Sequence, residues 1–303
     1  FYSIFQEEMF NDLREADKIG HGFQTIRSRD CNLVSNILID GCIENAKSVT
    51  QGGTDTYIAV GLLIGIPNVI DSLAVTKQFV FDEKQITMEQ LIDALRNNWN
   101  GREDLREYIL KKGMFFGNDD DCSNGVANRF FKSLDNWNTG DNYLKKPLVF
   151  GNLVGYNEHH KFFGNNTKAT PDGRFDGDMI SFGIGQSEGR DRNGLTALLS
   201  SVAKCDPLSI LTGPSVTNVL LDEQLVKKDE NFEKLVYLFE AYFKMGGTHF
   251  QLTYVSKEDL INAKKTPDKY KNLRVRVSGF SDYFIFLNEG LQDEIIKRTT
   301  HAR

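Results

Sequence analysis

The stretch RVRVSGF at residues 274–280, followed by the aromatic-rich run SDYFIFL at 281–287, decides how the rest of the chain is interpreted. Charged and apolar residues alternate in its first four positions, which is the period-2 pattern of a half-buried strand. Ser278 and Gly279 lie between this strand and the next strand-forming run. The sequence therefore predicts a hairpin with a glycine at its tip.

Gly279 has a simple structural interpretation. A glycine at the tip of a hairpin adopts a positive φ without the steric cost of a Cβ. From the residue pattern alone, a turn glycine is one reading of this position. A short closing helix is predicted after the hairpin, from Leu291 to Thr299.

The composition is that of an ordered, acidic, globular protein. The chain has 303 residues, of which 40% are hydrophobic and 11% aromatic, with a net charge of −6. Its pI is near 5.5, and an acidic chain is a poor partner for nucleic acid or for an anionic membrane surface. The sequence has no apolar run of about 18 residues, so we expect no membrane span.

Four cysteines, at positions 31, 42, 122 and 205, form no C-x-x-C pair and match no metal-ligand spacing. We expect no bound metal and a reduced cytoplasmic protein. The first residues, FYSIF at 1–5, lack the basic region of a signal peptide. The acidic run GNDDD at 117–121 lacks the spacing of an EF-hand, and we expect it to cap a helix N-terminus.

The last third of the chain predicts an α/β fold. Residues 232–243 have the periodicity of an amphipathic helix, and residues 248–255 that of a strand. Ser256 is expected to cap a second helix, which precedes the strand at 273–277. Strand, helix and strand in this order predict a right-handed β-α-β crossover and hence a parallel sheet.

Several helices are predicted earlier in the chain, and two of them matter here. Thr87, followed three residues later by Gln90, has the pattern of a capping box. Residues 35–47 are predicted to form a helix with a buried apolar face. The residues of that face are Ile37, Leu38, Ile39 and Ile43.

Sequence blocks along the chain carry a resemblance to a known family. They are CIE at 42–44, GGT at 52–54, DSLA at 71–74, GNDD at 117–120, ATPDGR at 169–174, GRD at 189–191, GGTHFQ at 246–251, VRVSGF at 275–280 and LQDEIIKRTTH at 291–301. In this order they resemble the glycyl radical enzymes, the family of pyruvate formate-lyase and the radical glycerol and choline lyases. The resemblance covers nearly the whole chain, from about residue 35 to residue 301.

The resemblance implies an α/β fold that is part of a ten-stranded α/β barrel of the glycyl radical enzyme type. Such a barrel has two five-stranded parallel halves, peripheral helices and a C-terminal glycine-loop hairpin. Residues 1–303 would form its C-terminal part. Within it we expect a helical and barrel segment at 35–150, barrel strands and loops at 151–255, and a glycyl radical domain at 256–303.

The resemblance also implies that Gly279 is oxidised to a radical at its Cα. This radical is delocalised between the amide nitrogen and the carbonyl group, which requires a planar Cα, and a side chain would clash as the carbon flattens. The family pattern places Arg276, Val277, Ser278 and Phe280 in the radical loop as its support. Phe280 stands where tyrosine is usual.

Arg298 matches a family arginine near the radical loop, and the alternative is a solvated cation at a helix C-terminus. Because the radical must be kept from water and oxygen, we expect Gly279 to be buried. Its expected neighbours are Val275, Val277, Tyr283 and Phe284.

By the same resemblance, the chain binds no cofactor itself. A radical-SAM activating enzyme, which uses an iron–sulfur cluster and S-adenosylmethionine, would install the radical. The glycyl radical would take hydrogen from a cysteine, and the thiyl radical would take hydrogen from the substrate. Cys42 matches a later, non-catalytic C-I-E helix of the family, and we expect it to be structural. The active cysteine is then expected on the N-terminal half of the same enzyme or on a separate subunit, and a homodimer is a further candidate assembly.

Tyr156 and Asn152 fall where family members contact the substrate, and a packed loop tyrosine is the alternative for Tyr156. The resemblance implies a lyase, dehydratase or decarboxylase of a small organic molecule, in an anaerobic organism. Three alternatives stay open. They are an enzyme of the formate C-acyltransferase type, a subunit that donates its glycyl radical domain to a separate catalytic chain, and a non-catalytic remnant.

Overall fold

The computed structural model describes residues 1–9, 11–12, 14–15, 33–54, 59–135, 148–152, 157–205, 215–227, 229–277 and 279–301. The chain divides into two compact units. One contains Phe1–Gly61 and Lys132–Phe150, and the other contains Leu62–Phe131 and Gly151–Arg303. The predicted division into 35–150, 151–255 and 256–303 remains a prediction.

The described secondary structure is mixed helix and strand. The strands are β1 (Ala59–Leu63), β2 (Leu148–Asn152), β3 (Thr217–Leu221), β4 (Phe250–Tyr254), β5 (Arg274–Arg276), β6 (Ser281–Tyr283) and β7 (Thr300–His301). The α-helices are α1 (Leu33–Ile37), α2 (Ile66–Thr76), α3 (Met88–Arg96), α4 (Glu103–Lys112), α5 (Asp121–Asp135), α6 (Asn157–Asn165), α7 (Leu195–Lys204), α8 (Glu223–Val226), α9 (Asp229–Lys244), α10 (Lys257–Lys265) and α11 (Glu289–Lys297). Within these residues, no helix is both long enough and apolar enough to cross a bilayer.

A parallel three-stranded sheet in the order β4-β3-β7 positions the site. Thr217 pairs with Phe250, and Leu220 pairs with Thr300. Every residue of β3 is buried, as expected for the central strand of a parallel sheet. Helix α9, which contains the predicted amphipathic segment, connects β3 to β4, so the parallel crossover is β3-α9-β4.

The hairpin of β5 and β6 is confirmed. The two strands pair antiparallel, with Arg276 opposite Ser281. The predicted parallel crossover from 248–255 to 273–277 is wrong, because β5 pairs with β6 and not with β4. The reason lies in Thr253 of β4, whose hydroxyl group accepts from the N–H of Arg276 at 3.2 Å and donates to its carbonyl at 3.1 Å. A side chain thus binds the peptide groups that a sheet ladder would have used.

A buried apolar cluster holds the hairpin against the sheet. Val275 and Val277 contribute from the first arm, Phe284 from the second, Leu220 from β3 and Ile295 from α11. Each of these side chains is at most 2% exposed. Full burial of such a side chain stabilises a fold by roughly 1.5–3 kcal/mol, so this cluster fixes the hairpin firmly.

Thr87 caps the N-terminus of α3, as predicted. Its hydroxyl group accepts from the N–H of Gln90 at 3.2 Å, and the Gln90 side chain accepts from the N–H of Thr87 at 2.9 Å. The reciprocal pair is the predicted capping box.

The predicted helix at 35–47 is wrong in length and in burial. Helix α1 ends at Ile37, and Gly41 has a φ of 88°, which a right-handed helix does not accommodate. Within this segment Cys42 is buried, at 4% exposure. The four residues predicted to be buried are exposed: Ile37, Leu38, Ile39 and Ile43.

Candidate functional site

Gly279 lies at the tip of the β5–β6 hairpin. The N–H of Val277 donates to the carbonyl of Phe280 at 2.9 Å and closes the tip. The N–H of Gly279 donates to Oε1 of Gln251, on β4, at 2.7 Å. The peptide group of the glycine is therefore held by the sheet below it.

The backbone angle of Gly279, and not crowding, requires a glycine here. Its φ is 84°, in the left-handed region that disfavours a side chain. A Cβ built at this position would meet no non-neighbouring atom within 4 Å among the described residues. Gly183 is the opposite case, because its Cβ would lie 2.2 Å from the carbonyl oxygen of Val216.

The expectation that Gly279 is buried is wrong for this chain. Gly279 is exposed, and Phe280 and Tyr283 are 43% and 37% exposed. Val275 and Val277 face the apolar cluster, but the tip extends beyond the last paired residues of the hairpin. Burial of the strands therefore does not cover the glycine.

Arg298 supports the first arm of the hairpin through its backbone. Its guanidinium group donates to the carbonyl of Arg276 at 3.1 Å and to that of Val277 at 3.0 Å. It also binds both carboxylate oxygens of Glu294, each at 2.9 Å. Arg298 is 3% exposed, so it is not the solvated cation that was the alternative.

Glu294 is a buried carboxyl group that interacts with Glu188 as well as with Arg298. Burial raises the pKa of Glu294 to about 7, Arg298 opposes this rise, and the nearby carboxyl group of Glu188 adds to it. The two glutamates line a cavity of about 400 Å³ that includes none of the hairpin residues. The ion pair of Arg298 and Glu294, which supports the hairpin, thus contains a carboxyl group with a pKa of about 7.

Asp191 fixes the chain on the other side of Arg298. The hydroxyl group of Thr299 donates to one Asp191 oxygen, and His301 Nε2 lies 3.0 Å from the other. Asp191 and His301 are 0% and 4% exposed. Because His301 also belongs to β7, the GRD block positions the strand that follows the arginine.

Gln251 and Thr253 are site residues that the sequence patterns did not predict. Both are buried on β4, whereas the alternate residues Leu252 and Tyr254 are 37% and 46% exposed. Polar side chains on the inward face of a strand require partners, and the hairpin backbone supplies them. That alternation in the strand at 248–255 was the available signal.

Asn218 is the register partner of Gln251 on the central strand. It is 6% exposed, and neither side-chain amide atom has a hydrogen-bond partner in the described part of the chain. Partner residues in parallel strands point to the same face of the sheet. An unsatisfied amide therefore lies beside the residue that holds Gly279.

A second set of polar contacts is buried. Asp71 accepts from the Ser187 hydroxyl group at 2.6 Å and from the N–H of Phe116 at 2.8 Å. Burial raises the pKa of Asp71 to about 7, although those hydrogen bonds lower it.

Arg174, in the ATPDGR block, donates to the carbonyl groups of Asp178 at 2.6 Å and Thr167 at 2.8 Å. Its role in these contacts is structural.

Of the described cysteines, Cys42 and Cys205 are buried and Cys122 is half-buried. Cys42 lies buried in a turn, in agreement with a structural role. Burial raises the pKa of Cys205, at the end of α7, to about 12. Burial also raises the pKa of Cys122, and Asp120 adds to that rise. Cys31 lies outside the described residues.

Three predicted site positions cannot be placed by their side chains. Tyr156 and Ser278 lie outside the described residues. Asn152 is the last residue of β2, and its side chain is likewise outside the description. Their proposed contacts remain predictions.

The acidic run at 117–121 caps a helix, as expected. The Asp120 carboxylate accepts from the N–H groups of Cys122 and Ser123, at 2.9 and 3.1 Å.

Throughout the described ranges, no group of three or more His, Cys, Asp or Glu side chains is arranged to hold a metal ion.

Comparison with protein families and known proteins gives a consistent result. The family described as pyruvate formate lyase-like matches residues 15–146, and the family described as glycine radical matches residues 180–285. Trans-4-hydroxy-L-proline dehydratase of Clostridioides difficile is 36% identical over 273 residues, which are 89% of this chain and 34% of that protein. Isethionate sulfite-lyase of Desulfovibrio desulfuricans is 34% identical, with 86% of this chain and 32% of that protein covered.

The fold is shared with a solved structure. In the hydroxyproline dehydratase of Clostridioides difficile, crystallised with trans-4-hydroxy-L-proline, the matching part has a TM-score of 0.81 and 33% identity. The match covers 88% of this chain and 34% of that one, and it confirms the predicted α/β barrel class. The chain thus spans about a third of the length of the relatives it matches.

Proposed function

This chain belongs to the glycyl radical enzyme family, and we propose that its Gly279 stores the radical of a lyase or dehydratase acting on a small organic substrate. One observation carries the proposal. Gly279 has a positive φ, and a side chain there would meet no described atom within 4 Å beyond the chain neighbours. Its N–H is bound by Gln251, and Arg298 binds the carbonyl of Val277, two residues earlier. This arrangement holds the peptide group and leaves the Cα accessible.

The proposed chemistry is a relay of hydrogen atoms. Activation removes one hydrogen atom from the Cα of Gly279, and the radical that an activating enzyme generates from S-adenosylmethionine accepts it. The glycyl radical then takes the hydrogen atom of a cysteine S–H, which restores the glycine and leaves a thiyl radical. The thiyl radical takes a hydrogen atom from a substrate C–H bond, and the reverse transfers restore the resting state. The protein's part is to position these groups.

The cysteine of the relay is proposed to lie outside these 303 residues. Cys42 and Cys205 are buried, at 4% and 1% exposure, and Cys122 is half-buried in the first turn of α5, where burial raises its thiol pKa. Cys31, which lies outside the described residues, lacks a flanking glycine and glutamate. A relay thiol must instead reach the exposed tip at Gly279. The N-terminal half of the same enzyme or a separate subunit would supply it, and substrate turnover by the 303-residue chain alone would contradict this.

The reaction class follows the relatives. The two curated relatives are named for a dehydration and for the release of sulfite, and we extend a lyase or dehydratase reaction to this chain. The formate C-acyltransferase type is the alternative. Tyr156 and Asn152 stay the proposed substrate contacts. A homodimer and a cytoplasmic location in an anaerobic organism complete the proposal.

Electron paramagnetic resonance tests the proposal. Anaerobic incubation with the activating enzyme and S-adenosylmethionine should give a doublet, from coupling of the unpaired electron to the one remaining α-hydrogen. Gly279→Ala should abolish the doublet. Gly246→Ala is the matched control, because Gly246 also has a positive φ, of 100°, and open space around it. A doublet that persists in Gly279→Ala, or is lost equally in Gly246→Ala, would overturn the assignment.

A further inference from the structure

We propose that Gln251 is a positioning residue that stabilises the glycyl radical through the N–H of Gly279. The inference rests on the proposed function of Gly279 and adds a residue to it. The contact is direct: Gln251 Oε1 accepts from the Gly279 N–H at 2.7 Å, the short end of the range for N–H···O bonds.

Gln251 is rigidly placed for this contact. It lies on β4, is 6% exposed, and belongs to the parallel pair of β3 and β4. Two positions further along the same face, Thr253 binds the backbone of Arg276 through two hydrogen bonds. The acceptor and the start of the radical loop are thus fixed by one strand, which holds their relative position better than a flexible loop would.

The acceptor atom is shared with a cation. Arg276 Nε donates to the same Gln251 Oε1 at 3.3 Å. With Oε1 held by two donors, the amide group of Gln251 has one orientation, in which its oxygen and not its nitrogen faces Gly279. Arg276 therefore sets the orientation of the group that receives the glycine N–H.

The electronic consequence depends on the oxidation state of Gly279. In the radical, the amide nitrogen shares its lone pair with the electron-poor Cα, so the nitrogen becomes more positive and its N–H a stronger donor. A hydrogen bond to a fixed oxygen is then stronger in the radical than in the resting glycine. An interaction that strengthens in one state shifts the equilibrium toward that state. Gln251 thus favours formation of the radical and slows its loss.

Two substitutions separate this role from simple packing. Gln251→Met keeps the length of the side chain and removes the acceptor. Gln251→Glu keeps an acceptor oxygen, pairs it with the Arg276 cation, and serves as the conservative rescue. Gln186→Met is the matched control, because Gln186 is also buried and donates to the carbonyl of Asn218 at 2.9 Å, a hydrogen bond that does not involve Gly279.

The first measurement does not need activation. In the protein that contains this chain, labelled with ¹⁵N-glycine, amide exchange of Gly279 should be about tenfold faster in Gln251→Met than in wild type, as expected for one lost hydrogen bond. Exchange should be unchanged in Gln186→Met and in Gln251→Glu. Equal exchange in Gln251→Met and wild type would overturn the contact itself.

The second measurement follows the radical. After anaerobic activation, the doublet should decay about tenfold faster in Gln251→Met, and at the wild-type rate or slower in Gln251→Glu. The same decay in wild type and Gln251→Met would overturn the inference and leave the proposed function intact. Absence of a radical in wild type would instead overturn the proposed function. If Gln251→Met fails to fold, Gln251→Glu decides, and decay faster than in Gln186→Met would contradict the proposal.

Discussion

The hairpin tip and the buried contacts of Asp71 are both hydrogen-bonded, but they differ in what they leave open. Asp71 is 0% exposed and is surrounded by its partners, Ser187 and Phe116. At the tip, the N–H of Gly279 is held by Gln251, and a Cβ on the glycine would meet no described atom within 4 Å beyond its chain neighbours. The difference teaches what each set of contacts does. Those of Asp71 satisfy a buried carboxyl group, whereas the contact at the tip fixes a backbone N–H and leaves the adjacent Cα accessible.

The largest expected effect comes from the support that Arg298 gives to the hairpin. Arg298→Met removes the two carbonyl contacts and leaves Glu294 without its cation in a buried place. Truncation of one partner of a buried ion pair costs about 3–5 kcal/mol, and we expect a loss of that size in the free energy of unfolding from urea denaturation. Lys297→Met, at the exposed neighbouring position, should change stability by about 0.5 kcal/mol or less. Equal effects of the two substitutions would mean that Arg298 does not brace the hairpin.

The next prediction concerns the buried carboxyl group of Asp71 and the dependence of stability on pH. The pKa of Asp71 rises from 3.8 to about 7 on folding, so between these values the folded state binds more protons than the unfolded state. The stability contributed by Asp71 is therefore present at low pH and is lost as the pH rises toward 7. The expected loss is about 1.4 kcal/mol per pH unit inside this window.

Asp71→Asn tests that sign. The amide keeps the shape of the side chain but does not ionise, so stability from pH 5 to pH 7 should fall less steeply than in wild type. Glu294, whose pKa is also raised to about 7, contributes a slope to both proteins and cancels in the comparison. Urea midpoints measured at several pH values give the two slopes. Identical slopes would show that Asp71 is not ionised by pH changes in this range.

The smallest expected effect concerns the contact between strand and hairpin. Thr253→Val keeps the side-chain shape and removes the two hydrogen bonds to Arg276. Loss of these should cost about 1–2 kcal/mol in thermal or urea unfolding. Thr266→Val, at an exposed position, makes the same chemical change and should cost about 0.5 kcal/mol or less. A Thr253→Val protein as stable as Thr266→Val would remove this contact from the account.

The hairpin could be predicted from sequence because alternation is local. The pattern at 274–277 specifies which side chains share a face, and a glycine between two strands specifies a turn. Whether the tip is covered depends on distant parts of the protein, so the expected burial of Gly279 was wrong. Gln251 is 28 residues from the glycine in sequence and Arg298 is 19 residues from it. Local sequence patterns do not predict contacts between residues so far apart.

The predicted helix at 35–47 failed for a local reason of a different kind. Its apolar residues have helical spacing, but α1 ends at Ile37, and Gly41 takes a left-handed φ through which a helix does not continue. A glycine is compatible with both a helix and a turn, and spacing alone does not decide between them. The sequence placed the parallel crossover between β4 and β5, whereas the structure has it between β3 and β4. The order of strands along a chain does not determine which strands pair.

Exposure of the activated protein to air tests the central claim most directly. A radical at a Cα reacts with oxygen and breaks the chain at that residue, so the mass of each fragment identifies the position. The account predicts cleavage at Gly279, in a fraction of the molecules equal to the fraction that carried the radical by electron paramagnetic resonance. Cleavage at another residue, or an intact chain after a full radical signal, would contradict it.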